Sequence, residues 1–156
     1  MGKIAKADLG NVVKEVLAKI PLKEGRLGRA ALITLSGDLG AGKTTFVQAL
    51  ARELGIERVV QSPTYVLMKS YELKNQAFTK LVHIDAYRLN NGDEFAALEP
   101  ASFLLDEDAL VCVEWPERIE GALPRPDVAL KLSADPPAGE AGGAGEEERY
   151  ILIDSE

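Results

Sequence analysis

Gly37, Asp38, Leu39, Gly40, Ala41, Gly42, Lys43 and Thr44 satisfy the spacing G-x-x-x-x-G-K-[ST], whose chemistry is the cradling of nucleotide phosphates. Glycines at three of these positions let the backbone curl so that successive N–H groups point at phosphate oxygens. A helix beginning there adds its partial positive charge. The ammonium of Lys43 can reach the β- and γ-phosphates, and the Thr44 hydroxyl can coordinate Mg²⁺. The residues expected to contact the nucleotide are Asp38, Leu39, Gly40, Ala41, Gly42, Lys43, Thr44 and Thr45.

Such a site also needs an acid on a neighbouring strand to hold the metal or orient a nucleophile. Two apolar runs each end in one. Leu81, Val82, His83 and Ile84 lead to Asp85, and Leu110, Val111, Cys112 and Val113 lead to Glu114. Ligands of open α/β sheets sit at the carboxyl ends of strands, so Asp85 and Glu114 are expected to converge on the glycine loop. The competing role for either acid is an ordinary cap for the next helix. His83, the single histidine, is read as out of step with Asp85 and as structural, and Cys112 as a core residue. Trp115 suits either packing or the border of the nucleotide site.

The elements that must position these groups are visible as periodicity. Leu9, Val12, Val13, Val16, Leu17 and Ile20 recur at helical intervals between a candidate cap, Asp8, and a stop, Pro21. Ala30 to Leu35 reads as a strand buried on both faces. Lys43 to Leu54 reads as a helix closed by Gly55. Further strands are expected at Tyr65–Ser70, Leu81–Ile84, Leu110–Val113, Val128–Leu132 and Tyr150–Ile153, with acidic helical material from Asp93 to Leu105. The expected fold is therefore a three-layer α/β P-loop NTPase domain spanning residues 1–156, with a mostly parallel central sheet and a C-terminal antiparallel strand pair. Residues 136–148, rich in Pro, Gly, Ala and Glu, are expected to form a disordered loop.

Composition restricts the partners. The 156 residues carry 18 Lys plus Arg against 25 Asp plus Glu, a net charge of -7. Sequence-independent affinity for nucleic acid comes from cations displacing counterions, so the chain is not expected to grip a nucleic acid by itself: DNA is not an expected partner, and any RNA connection would need a partner protein. The single cysteine forms no internal disulfide, which suits a cytoplasmic protein. No run approaches the roughly 20 apolar residues that span a bilayer.

Four motifs in order, GDLGAGKTT from Gly37, Ser62-Pro63-Thr64-Tyr65, His83-Ile84-Asp85-Ala86-Tyr87-Arg88-Leu89 and Glu114-Trp115-Pro116-Glu117, closely resemble the bacterial TsaE (YjeE) family over about Asp8 to Leu132. The combination is far more specific than the glycine loop alone. The resemblance implies a small ATPase needed for the threonylcarbamoyladenosine modification at position 37 of tRNA, working with the TsaB and TsaD proteins. It implies ATP and Mg²⁺ as ligands, with Lys43, Asp85 and Glu114 catalytic and Thr44, Asp85 and Glu114 toward the metal. It also places Thr64 in a switch-like loop and Trp115 beside the nucleotide.

Two other classes share the loop. A small-molecule kinase needs an acceptor pocket and usually a basic lid, and no arginine-rich lid is visible; a nucleotide-responsive binding module needs no useful turnover. A GTPase is disfavoured because the chain lacks N-K-x-D. No arginine finger stands out, although Arg88 lies near Asp85 in sequence, so slow turnover without partners is expected.

Overall fold

Ala31, Leu32, Ile33, Thr34 and Leu35 are all buried, and the pleat sends alternate residues to opposite faces of a sheet. Ile33 and Leu35 join one core, while Leu32 joins a second. A central strand covered on both sides is the outcome expected of a continuous apolar run.

The computed structural model describes residues 2–136, 138 and 148–155. Its elements are β1 (Gly2–Ala5), α1 (Leu9–Lys19), β2 (Ala31–Ser36), α2 (Lys43–Glu53), β3 (Met68–Glu72), β4 (Lys80–Asp85), α3 (Gly92–Ala96), α4 (Ala101–Leu104), β5 (Ala109–Glu114), β6 (Val128–Ser133) and β7 (Glu148–Asp154), with short 3₁₀ turns between several of them. The strands form one sheet in the order β1-β7-β6-β2-β5-β4-β3. The four central strands β6, β2, β5 and β4 are parallel. Antiparallel strands close both edges: β3 on β4, and β7 on β6 followed by β1 on β7. This is the expected α/β sheet with its C-terminal antiparallel pair.

Helices α1 and α2 pack on each other and on one face, where Val13, Val16, Phe46, Val47 and Leu50 meet Ile33, Leu35, Leu81 and Leu110. The opposite face is covered by Phe95 of α3, Phe103 of α4 and Ile119, which pack on Val82, Ile84, Val111 and Val113. Parallel register between β4 and β5 places Asp85 directly beside Glu114, and β2 pairs Leu35 with Glu114. Both acids thus end their strands at the edge of the sheet where β2 gives way to the glycine loop.

The structure departs from sequence expectation in five places. Strand β1 pairs with β7 although its four residues Gly2 to Ala5 hold one large apolar side chain, Ile4. The strand expected at 65–70 begins only at Met68, because Leu67 turns the chain through φ 65° and leaves Tyr65 exposed. The helix expected over 93–105 is two short helices, since Pro100 has no N–H to give and Glu99 before it adopts φ 52°. Asp8 stands at the start of α1 but makes no side-chain cap, because a 3₁₀ turn over Lys6–Asp8 runs straight into the helix. Of the loop expected over 136–148, Glu148 opens β7, and residues 137 and 139–147 lie outside the described residues.

At the end of the sheet away from the glycine loop, Asp127 fixes where β6 meets β2. Its carboxylate accepts two bonds from the Arg29 guanidinium, at 2.7 and 2.8 Å, and one from the Leu32 amide at 2.8 Å. Burial on its own would raise the Asp127 carboxyl, but the bonds from Arg29 and Leu32 and the charges of Arg29 and Arg26 outweigh it and hold it below its ordinary value of 3.8. A lowered carboxyl stabilises the fold above the unfolded-state pKa and loses that contribution as pH falls through the folded-state value. Asp127→Ala should therefore cost about 3 kcal/mol in urea unfolding at neutral pH, since it leaves Arg29 unpaired. The gap to the parent chain should hold down to about pH 4 and narrow as the pH is taken below it; a gap that failed to narrow below that pH would disprove the assignment.

Candidate functional site

Gly37 leaves β2 at φ 135°, and a Cβ there would stand 2.2 Å from the Leu132 carbonyl oxygen, so no other residue fits. Gly42, at φ 99°, turns the chain into α2. The loop between them carries Leu39 outward, 80% exposed, and buries Ala41 beneath. Lys43 opens the helix, and its ammonium donates to the carbonyls of Gly37 at 2.6 Å and Asp38 at 2.8 Å. The same nitrogen lies 3.9 Å from the centroid of the Trp115 ring, a cation–π contact. Burial lowers the pKa of Lys43, opposed by the charges of Glu114, Glu117, Asp85 and Asp38.

Glu114 ends β5 and is 2% exposed. A buried carboxylate requires donors, and two are present. The Thr44 hydroxyl lies 3.0 and 3.1 Å from its two oxygens, and His83 Nε2 lies 2.7 Å from Oε1. His83, read above as out of step with Asp85, is two positions from it in β4 and so shares its face; that face is directed at the site. Its other nitrogen, Nδ1, is buried without a hydrogen-bond partner among the described residues.

Asp85, 4% exposed, gathers a different set. Its Oδ2 accepts from Ser62 Oγ at 2.9 Å and from Thr64 Oγ1 at 2.6 Å, and the two hydroxyls are 2.7 Å apart. Its Oδ1 accepts from the Tyr87 amide at 3.0 Å, an Asx-type turn. Neither acid caps a helix: the 3₁₀ turn after Glu114 starts from Trp115, which sits at φ 60°, ψ 50° with no side-chain cap. A non-glycine residue in this region is strained, and its amide is tied to the Leu35 carbonyl at 3.0 Å.

These groups line one cavity of about 380 Å³, floored by Lys43, Thr44, Thr45, Thr64, Asp85, Glu114 and Trp115 together with Leu39, Gly40 and Gly42. Of the other residues expected to touch the nucleotide, Asp38 and Ala41 do not line it; Asp38 contributes its carbonyl to Lys43. The opposite wall is apolar, built from Ile4, Leu9, Leu132 and Ile151. Arg149 of β7 enters the same cavity, with Nε 3.3 Å from the Gly40 carbonyl, whereas Arg88 stacks on Tyr65 at 5.5 Å and is not part of the lining. Sequence reading missed Ser62, Arg149 and the contact of His83 with Glu114. Only Ser62 left a local sign, its place in the Ser-Pro-Thr-Tyr motif; the others depend on strand pairing.

Chemically, the site joins a glycine-rich loop at a helix N-terminus, an ammonium and two carboxylates with hydroxyl partners. Thr44 and Glu114 present hard oxygen donors suited to a small divalent cation. Among the described residues no group of three or more His, Cys, Asp or Glu side chains could hold a metal ion by itself.

A family model described as threonylcarbamoyl adenosine biosynthesis protein TsaE matches residues 6–140. The chain is 36% identical over 122 residues to the tRNA threonylcarbamoyladenosine biosynthesis protein TsaE of Bacillus subtilis, covering 78% of this chain and 68% of that one. The protein of the same description from Haemophilus influenzae is 32% identical over 123 residues, covering 79% and 72%. Among solved structures, the crystal structure of Bacillus subtilis YdiB superposes with a TM-score of 0.66 at 25% identity, over 99% of this chain and 83% of that one.

The Asp85–hydroxyl cluster generates a test that needs no ligand. Thr64→Val keeps the shape of the side chain and removes one hydrogen bond to a carboxylate, a bond worth about 1.5 kcal/mol or more. Hydrogen exchange of the amides over residues 62–67 should speed up by about 10-fold. Unchanged exchange there would show that Asp85 does not hold this loop.

Proposed function

This chain belongs to the TsaE family of threonylcarbamoyl adenosine biosynthesis proteins, and from that premise we propose that it binds ATP with Mg²⁺ and hydrolyses it to ADP and phosphate in support of tRNA position-37 modification. One observation carries the reading. Lys43 and Thr44, at the mouth of α2, face Asp85 and Glu114, the register partners that end β4 and β5. That arrangement supplies phosphate donors and carboxylates in a single cavity, as phosphoryl transfer requires.

The loop amides and Lys43 take the phosphates, and charge building on them during hydrolysis is met by an ammonium already buried against Trp115. Thr44 and Glu114 would hold Mg²⁺, which would supply positive charge to the phosphates. The two carboxylates divide the work. Glu114 is engaged with Thr44, while Asp85 binds the hydroxyls of the 62–64 loop and so is placed to orient water and to register that loop's position. The apolar wall of Ile4, Leu9, Leu132 and Ile151 suits the faces of a purine, and Arg149 adds a cation beside the loop.

Partners follow from the family and from charge. TsaB and TsaD are the proposed partners, with hydrolysis resetting their complex between catalytic cycles. A chain of net charge -7 leaves tRNA contact mainly to that complex. Turnover by the isolated chain is slow in this reading and rises in the complex. Co-elution with TsaB and TsaD should depend on nucleotide; failure to bind in every nucleotide state would overturn the partner assignment.

Lys43→Ala should weaken ATP binding by about 100-fold, the loss of charge-assisted bonds to phosphate. Asp85→Ala should abolish phosphate release while sparing most of the binding, followed through fluorescence of Trp115, the chain's one tryptophan. Full turnover in Asp85→Ala would remove it from the chemistry. Release of phosphate only when a small-molecule acceptor is added would favour a kinase instead.

A further inference from the structure

We propose, on the footing of the ATP-hydrolysing reading above, that His83 is a positioning residue for that reaction: its Nε2–H holds the Glu114 carboxylate turned toward Thr44 and away from Lys43. The imidazole is fully buried in β4, beside Cys112 of β5 in the parallel register. Its Nε2 stands 2.7 Å from Glu114 Oε1, and its Nδ1 has no hydrogen-bond partner among the described residues.

The orphan nitrogen fixes the direction of the bond. A buried N–H without an acceptor costs more than a buried lone pair without a donor, so the proton belongs on Nε2 and the ring donates to Glu114. A side chain serving only to fill this core would be apolar, because an unsatisfied polar atom in such a place is a cost with no return in packing. The chain bears that cost where the other ring nitrogen meets a carboxylate of the site.

Glu114 has two competing neighbours. One is the Thr44 hydroxyl, within 3.1 Å of both its oxygens. The other is Lys43, on which Glu114 exerts the largest effect among the four acids that oppose its desolvation. A carboxylate free to rotate would move onto the ammonium, blunting the charge meant for phosphate and leaving Thr44 alone. With Oε1 occupied by His83, the carboxylate plane is set and Lys43 keeps its bonds to Gly37 and Asp38. Partners behind a ligand of this kind typically change metal affinity or activity by about 10- to 100-fold when removed.

The test compares His83→Asn, His83→Gln, Glu114→Gln and the double variant His83→Asn/Glu114→Gln with the parent chain. The terminal amide of glutamine can take the place of Nε2, whereas that of asparagine falls short. In ¹⁵N spectra of the parent chain without nucleotide, Nε2 should be the protonated ring nitrogen, and its signal should move in Glu114→Gln. His83→Asn should lower kcat by about 10- to 100-fold and raise the Mg²⁺ concentration for half-maximal Trp115 fluorescence change at fixed ADP, with KM for ATP nearly unchanged. His83→Gln should recover most of both losses, and His83→Asn should cost nothing further in the Glu114→Gln background. Parent-like kcat and Mg²⁺ dependence in His83→Asn, equal losses in the Asn and Gln variants, or additive losses in the double variant would overturn the proposal. These outcomes in a chain that does hydrolyse ATP overturn this proposal alone, whereas a parent chain that neither binds nor hydrolyses ATP overturns the functional reading with it.

Discussion

A carboxylate that is 2% exposed must be hydrogen-bonded, and the arrangement around Glu114 follows from that requirement. Taking such a group from water costs several kcal/mol unless donors replace the solvent. The donors come from two elements remote in sequence: His83 from β4 and Thr44 from the first turn of α2. Both contacts exist only because β5 lies between β2 and β4 in parallel register. Sheet order, loop position and carboxylate orientation are thus one constraint viewed at three scales.

The cationic half of the site is built in the opposite manner. Lys43 is satisfied by its own loop, through two carbonyls, and by the face of Trp115. Trp115 reaches that position by adopting a left-handed conformation immediately after Glu114, and Tyr87 packs against it with ring centroids 5.0 Å apart. Strain at this turn is offset by a backbone bond to Leu35 and by the two ring contacts. The result brings an ammonium and a carboxylate close together without pairing them, so both remain directed at the cavity.

How much of this was legible in the sequence depends on the range over which each feature is determined. The glycine loop, its strand and its helix follow from spacing within about twenty residues, and the convergence of Asp85 and Glu114 followed from two apolar runs each ending in an acid. Strand β1 was not legible, because one isoleucine among four residues gives no alternation and its pairing with β7 is set by the far end of the chain. The start of β3 was misplaced because the positive φ of Leu67 has no signature in a leucine. The hydrogen-bond partner of His83 has no trace in the sequence because it lies 31 residues away on another strand, and a period of two puts His83 and Asp85 on one face, against the expectation that they are out of step.

The edge strands give the cavity a character that the central strands do not. Ile4 and Ala5 of β1, with Arg149 and Ile151 of β7, line the side opposite the carboxylates, and β7 lies beyond residues 6–140, where the family match ends. The central parallel strands carry the two carboxylates, and the antiparallel edge provides two of the four residues of the apolar wall, Ile4 and Ile151. This division fits the charge balance of the chain. With a net charge of -7, long-range attraction for a polyanion is absent, and affinity for phosphate has to arise within a few ångströms from desolvated donors. Lys43, buried yet held by neutral carbonyls and an aromatic face, is such a donor. In the proposed reading, a site of that kind would capture a small anion that can enter the cavity and would have little hold on an extended one that cannot, so that an acidic protein binds phosphate selectively by local desolvated donors.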